Sequence, residues 1–303
     1  MASEQYLAEL FDQAQPIAPS KLQQLAGLSD VEAITFRQQW LAAPEARRAQ
    51  VLERIAAVVE DNAEFDFDAI FRIGLDDEAP GIRVQAVEGL WECQDRWLLN
   101  RIAQMAETDT AEPVRAAAAA GLGKFVLLGA LDELRPAMLE LVEGTLKRII
   151  DDIAEAPAVR RRAIESLASS SDPDVNGIIR AAYHGEQPEL KIAAIYAMGQ
   201  HCDAGWLPAL LRELRNPDPS FRFEAARACG ELEDERAVPA LIEMANDDDP
   251  LVQEAALEAL GRIGGEDAKR ALKLAIAQDD PRVSEAARVA LEELTFDENP
   301  RAF

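Results

Sequence analysis

The chain has 303 residues and is 49% hydrophobic, enough apolar material for a large buried core, which excludes a disordered polymer. Its 31 Lys and Arg face 56 Asp and Glu, a net charge of −25. That field argues against nucleic acid and anionic membranes as partners, because phosphate binding needs a basic stripe and the longest basic cluster is Arg160-Arg161-Arg162.

At the N-terminus, "MASEQYLAELFDQ" carries Glu4, Glu9 and Asp12 where a signal peptide needs a basic start and an apolar core. The next segments, "SDVEAITFRQQWLAAP" and "PEARRAQVLERIAAVVED", are helical in pattern, with Ser29 or Asp30 as N-cap and Pro44 at a helix start. Residues 1–63 read as an N-terminal helical cap covering the apolar end of a stack. From Pro80 a repeating unit sets in, P-x-V-x-x-x-A-x-x-A-L-G in its fullest form. Its copies begin at Pro80, Glu112, Pro157, Pro188, Pro219, Pro250 and Pro281, the last five spaced by 31 residues. Apolar positions step by three and four in "AVPALIEMA" and "VQEAALEALG", so each unit is two amphipathic helices.

Asp218, Asp249 and Asp280 stand before Pro219, Pro250 and Pro281, an acidic N-cap followed by proline at the first helical position. Gly123, Gly199, Gly230 and Gly261 fall where the second helix should end, which suits a left-handed cap. Six places after each unit start stands an alanine: Ala86, Ala118, Ala163, Ala194, Ala225, Ala256 and Ala287. A methyl group at that point lets second helices approach closely, and a leucine there should cost about 1 to 3 kcal/mol through overpacking. Between Glu112 and Pro157 the rhythm is broken by an insertion within "LDELRPAMLELVEGTLKRIIDDIAEA", expected as a lengthened first helix around residues 131–152. The apolar run from Val114 is interrupted by Arg115, Lys124 and three glycines, against a membrane span.

The run "DERAVPALIEMANDDDPLVQEAALEALGRIGG" resembles a HEAT repeat of the short bacterial type also found in phycobilisome lyases. The resemblance implies an all-α fold, an α-α superhelix forming a right-handed solenoid, over residues 64–294 in about seven units, leaving 295–303 as a C-terminal tail. It further implies that first helices line the convex side and second helices the concave side.

Residues suited to chemistry are few. His184 and His201 have no H-x-x-x-H spacing, and the His-Glu pairs of iron-binding HEAT-repeat hydroxylases are missing, since Gly185 and Cys202 follow them. Cys93, Cys202 and Cys229 form no C-x-x-C pair, and Cys229 stands where a unit carries leucine, so it reads as a buried thiol. Asp247-Asp248-Asp249 lacks the glycine and distal glutamate of a calcium loop, and no glycine cluster precedes a Lys-Ser or Lys-Thr pair. We therefore expect no catalytic residue, no metal and no cofactor.

Two series remain. Arg83, Arg115, Arg160, Lys191 and Arg222 recur three places into their units and read as internal partners of turn carboxylates rather than a binding ladder. Positions four and eight should face outward from the second helix: Val84, Arg161, Ile192 and Phe223 at the first, Tyr196 and Arg227 at the second. The C-terminal units place Glu254, Glu258 and Glu285 there instead. Val84, Arg161, Ile192, Tyr196, Phe223 and Arg227 are thus the candidate protein-binding residues, an aromatic and arginine centre within carboxylates. The expected function is a cytoplasmic, non-catalytic interaction scaffold or adaptor for a basic protein or peptide. The alternatives are a phycobilisome-lyase-like protein holding a chromophore or other small molecule, and an acidic chaperone or decoy for basic proteins.

Overall fold

The computed structural model describes residues 4–61 and 64–298, so the expectations for residues 1–3, 62, 63 and 299–303 in the cap and tail lie outside the described residues. The described residues contain no strand, and the fold class is an all-α repeat superhelix. Two compact units divide the chain, residues 1–166 and 167–303.

The N-terminal unit holds α1 (Glu4–Phe11), α2 (Pro19–Leu22), α3 (Asp30–Ala42), α4 (Glu45–Asp61), α5 (Asp68–Gly74), α6 (Pro80–Gly89), α7 (Arg96–Thr108), α8 (Glu112–Ala130), α9 (Pro136–Asp151) and α10 (Pro157–Leu167), the last ending at the division. Its second helices stack in succession, α4 on α6 and α6 on α8, and α5 and α7 pack on their partners α6 and α8. The C-terminal unit holds α11 (Val175–His184), α12 (Pro188–Gln200), α13 (Leu207–Glu213), α14 (Pro219–Leu232), α15 (Val238–Met244), α16 (Pro250–Ile263), α17 (Gly265–Ile276) and α18 (Pro281–Glu298). There α12, α14, α16 and α18 stack in turn, each backed by the helix before it in the chain. Helix α18 runs on through Glu298, so residues 295–298 of the expected tail are helical.

Helix starts obey the local chemistry. Ser29 closes a capping box with Glu32 on α3. Asp218 accepts from Ser220 N–H, and Asp249 from Leu251 N–H and Val252 N–H, with proline filling the next position.

The repeated glycines have a different job from the one their position suggests. Gly199, Gly230 and Gly261 lie inside α12, α14 and α16, and Gly123 inside α8; among the described glycines, positive φ is confined to Gly27, Gly264 and Gly265. They are contact points rather than caps. A Cβ on Gly199 would stand 2.7 Å from Ala228 Cα, one on Gly230 3.0 Å from Ala259 Cα, and one on Gly261 2.9 Å from Ala290 O. Backbone meets backbone at each junction of second helices, and the missing side chain sets the spacing. All seven repeated alanines are fully buried, as close packing requires. The neighbour of Ala86, however, is Gly74 on the first helix α5 of its own unit. That alanine serves the intra-unit contact, and the glycines serve the contact between successive second helices.

The insertion is divided between two helices. Helix α8 grows to 19 residues against 14 in α14 and α16, and α9 takes 16 more but starts only at Pro136. Leu131 to Arg135 form a turn with Asp132 at φ 60°, and proline, which suits a first turn and not an interior, fixes the new start. By length and composition α8 could cross a membrane. One face of it is packed, with Val114, Ala118, Leu122, Phe125 and Val126 fully buried against neighbours that include α6, α7 and α9, while most of the rest of the helix is half-buried or exposed.

One substitution at two helical glycines separates these roles. Gly230→Ala should destabilise by about 1 to 3 kcal/mol through overpacking against Ala259. Gly177→Ala in α11, where a Cβ meets open space, should stabilise by about 0.5 to 1 kcal/mol. Thermal melts of both variants check the pair, and equal shifts would contradict the contact role.

Candidate functional site

The basic series is consumed inside the fold. Arg222 donates from Nε and Nη2 to both oxygens of Asp247 at 2.7 Å each, and from Nη1 to the carbonyls of Asn216 and Pro217. Arg83 repeats the arrangement with Asp109 at 2.9 and 2.7 Å and with the carbonyls of Asp77 and Glu78. Arg115 does so with Glu155 at 2.8 and 2.9 Å. Each guanidinium thus ties its own turn to the carboxylate of the next, which in turn accepts from a backbone N–H, as Asp247 does from Asp249. Arg160 donates to the Ile150 carbonyl. At Lys191 the fork is replaced by an ammonium, and its carboxylate shifts to the buried Glu213, 3.2 Å away, which also accepts from Tyr183 and Asn216.

The ladder reaches upstream of the repeats visible in the sequence. Arg48, three places into α4, pairs with Asp77; both are buried, and Trp40 donates to the same carboxylate at 2.7 Å. The segment read as a cap therefore contains a helix held to its successor as the later ones are.

The candidate binding residues fall into two groups. Val84 and Arg161 line one groove of about 750 Å³ in the N-terminal unit. Ile192, Tyr196, Phe223 and Arg227 lie on α12 and α14 of the C-terminal unit. The first three of these are half-buried; Arg227 is exposed and sits over the Phe223 ring at 5.7 Å.

Sequence reasoning missed Trp91. It stands just past the end of α6 and is 62% exposed, the side chain of an aromatic residue left standing on the surface. It walls the 750 Å³ groove and also a groove of about 780 Å³ over α4 and α6. Leu52, Ala56 and Phe71 line the 780 Å³ groove, together with Glu53, Glu60, Glu88 and Glu92. A signal existed: Trp91 occupies the place in its unit held by Gly123, Gly199, Gly230 and Gly261 in others, where no helix junction could accept an indole.

Three of the groups weighed for chemistry have structural neighbours. His201 Nδ1 lies 3.2 Å from the Ala168 carbonyl oxygen, and His184 packs edge-on against Tyr183. Cys229 is fully buried, and burial pushes its thiol up to about 12. Asp247 is held by Arg222 and Asp249 caps α16, which leaves the aspartate run no common open face.

Residues 207–292 match the family model described as HEAT repeats. No curated protein matches the chain in sequence. Among solved structures, the CpcE–CpcF complex of phycocyanin lyase from Nostoc sp. PCC7120 aligns at 15% identity and a TM-score of 0.53, covering 93% of this chain and 97% of that one. Yeast importin-β (Kap95p) aligns at 13% identity and 0.51, covering 95% of this chain and 46% of that one. Residues 207–292 are thus similar to HEAT repeats, and the fold of the chain is like that of the phycocyanin lyase pair and importin-β.

The ladder makes stability depend on pH. Hydrogen bonds from Arg222 hold the Asp247 carboxyl below its ordinary 3.8, and those from Arg115 hold Glu155 below 4.5. Carboxyls depressed in the folded state contribute fully above their unfolded values, and the contribution fades as pH falls from those values through the folded ones. Melting temperature should therefore drop steeply below about pH 4.5. Asp247→Asn, which removes the carboxylate charge facing a mostly buried guanidinium while its two backbone acceptors remain, should cost about 1 to 3 kcal/mol at neutral pH and flatten the acid limb. Melts of both proteins between neutral and acid pH test this.

Proposed function

We propose that this chain is a non-catalytic, cytoplasmic protein-interaction scaffold that takes a basic partner segment in the acidic groove beside Trp91. One observation carries the reading: a 62% exposed tryptophan walls an apolar groove lined, among the described residues, by four glutamates and no cation. An exposed aromatic beside an apolar floor is the composition of a binding hot spot, and the surrounding carboxylates select lysine and arginine while repelling acidic competitors. Because the ladder arginines are internally paired, they leave the surface field negative, in keeping with the net charge of −25. The fold likeness adds support, since CpcE and CpcF were solved as a complex and Kap95p with RanGDP. In the C-terminal unit, Ile192, Tyr196, Phe223 and Arg227 are a second contact patch in this reading, with Arg227 stacked on Phe223 as its centre.

A lysine-leucine peptide, labelled and titrated by fluorescence anisotropy, is a direct probe. Trp91→Ala should weaken its binding by about 2 kcal/mol, some thirtyfold, with the melting temperature nearly unchanged because the indole is exposed. Unchanged affinity in Trp91→Ala with loss in Phe223→Ala would move the surface to the C-terminal unit. Affinity indifferent to both would refute the reading.

A further inference from the structure

The two grooves that share Trp91 have opposite polarity. The first, over α4 and α6, is lined by glutamates alone among its described charged residues. The second runs over α6, α8 and α10, and its charged lining is Lys124, Arg161, Arg162 and Glu88. In a chain of net charge −25, three cations on one apolar groove stand out from the surrounding field. They are also incompletely neutralised. Arg161 donates from Nε to one oxygen of Glu165 at 2.7 Å, and Arg162 from Nη1 to the other at 2.8 Å, so two guanidiniums share a single carboxylate. Their side chains keep 38% and 52% exposure. Lys124 is committed differently: its ammonium donates to the carbonyls of Leu90 at 2.6 Å and Trp91 at 3.2 Å, anchoring the backbone under the indole.

The floor of this second groove is made of Ala116, Ala117, Ala120 and Gly121, residues too small to fill the space between Trp91 and α10. An apolar slot of about 750 Å³ ending at two half-satisfied guanidiniums is complementary to an apolar side chain with a carboxylate beside it. Charge complementarity thus distinguishes the occupants of the two grooves, and the shared indole makes them continuous.

We propose that the second groove receives an apolar side chain and an adjacent carboxylate of the same protein segment whose basic part occupies the first, so that the partner is a charge-segregated segment crossing Trp91. This rests on the protein-binding reading above. It adds a selectivity which that reading lacks, because a uniformly basic segment would fill only one groove.

Two synthetic peptides decide it, each with three lysines, two leucines and then three glutamates, the glutamates being replaced by glutamines in the second. Against the full chain, the glutamate peptide should bind roughly tenfold tighter than its twin. Arg161→Gln combined with Arg162→Gln should abolish that preference, the two peptides then binding alike. Glu165→Gln, which frees both guanidiniums, should increase the preference and stands in if the double variant fails to fold. Equal affinity of the two peptides for the unmodified chain, with both weakened in Trp91→Ala, would overturn the inference and leave the first groove standing. If Trp91→Ala changes neither, the protein-binding reading falls and the inference with it.

Discussion

Successive second helices approach until the backbone of one meets a Cβ of the next, and the rest of the C-terminal unit is arranged around that distance. Glycine at Gly199, Gly230 and Gly261 and alanine at Ala228, Ala259 and Ala290 make the approach possible. Dispersion falls off steeply with a gap of even half an ångström, so a spacing set by backbone atoms gives every unit the same close-packed junction. Apolar residues of the second helices then need only be of similar size to pack, and Cys229 takes a leucine position without disturbing the stack.

The arginine ladder works on the same junctions from the turn side. A guanidinium is large, planar and always charged, and burying it is tolerable only when its donors are matched. The turns supply that match, with two backbone carbonyls from one and a carboxylate from the next. Register between neighbouring turns is thereby specified by geometry, where the apolar stack alone would allow sliding. Lys191 shows the alternative solution. A point charge needs no fork: the ammonium meets Glu213 and the face of the Tyr183 ring, while Tyr183 and Asn216 donate to Glu213, in a part-buried polar cluster.

Internal use of these cations has a consequence for the surface. Ladder carboxylates are paired, yet many more acids than bases remain in the chain, and the excess stands on exposed faces. Against that background the N-terminal unit places an exposed aromatic, Trp91, between a groove of glutamates and a groove of arginines. Polarity changes over the width of one side chain there, and selectivity for a partner can arise without any catalytic group.

Much of this was legible in the residues themselves. The 31-residue period, the Asp-Pro helix starts and the fully buried alanines depend on local backbone chemistry or on identical units repeating, so sequence determined the fold class and the helix starts. The internal pairing of the basic series was readable as well, because each arginine recurs with a turn acid at hand. Tertiary structure alone decided the rest. Whether a glycine near a helix end caps it or admits a neighbour depends on a second helix that a single unit does not contain. How the insertion divides between α8 and α9 depends on where the turn closes as well as on the added length. Val84 and Arg161, 77 positions apart in the chain, share a groove only because α6, α8 and α10 converge on it. Exposure of Trp91 likewise follows from where α6 ends, since the indole stands in the turn beyond the last helical residue, a placement that a one-dimensional pattern does not carry.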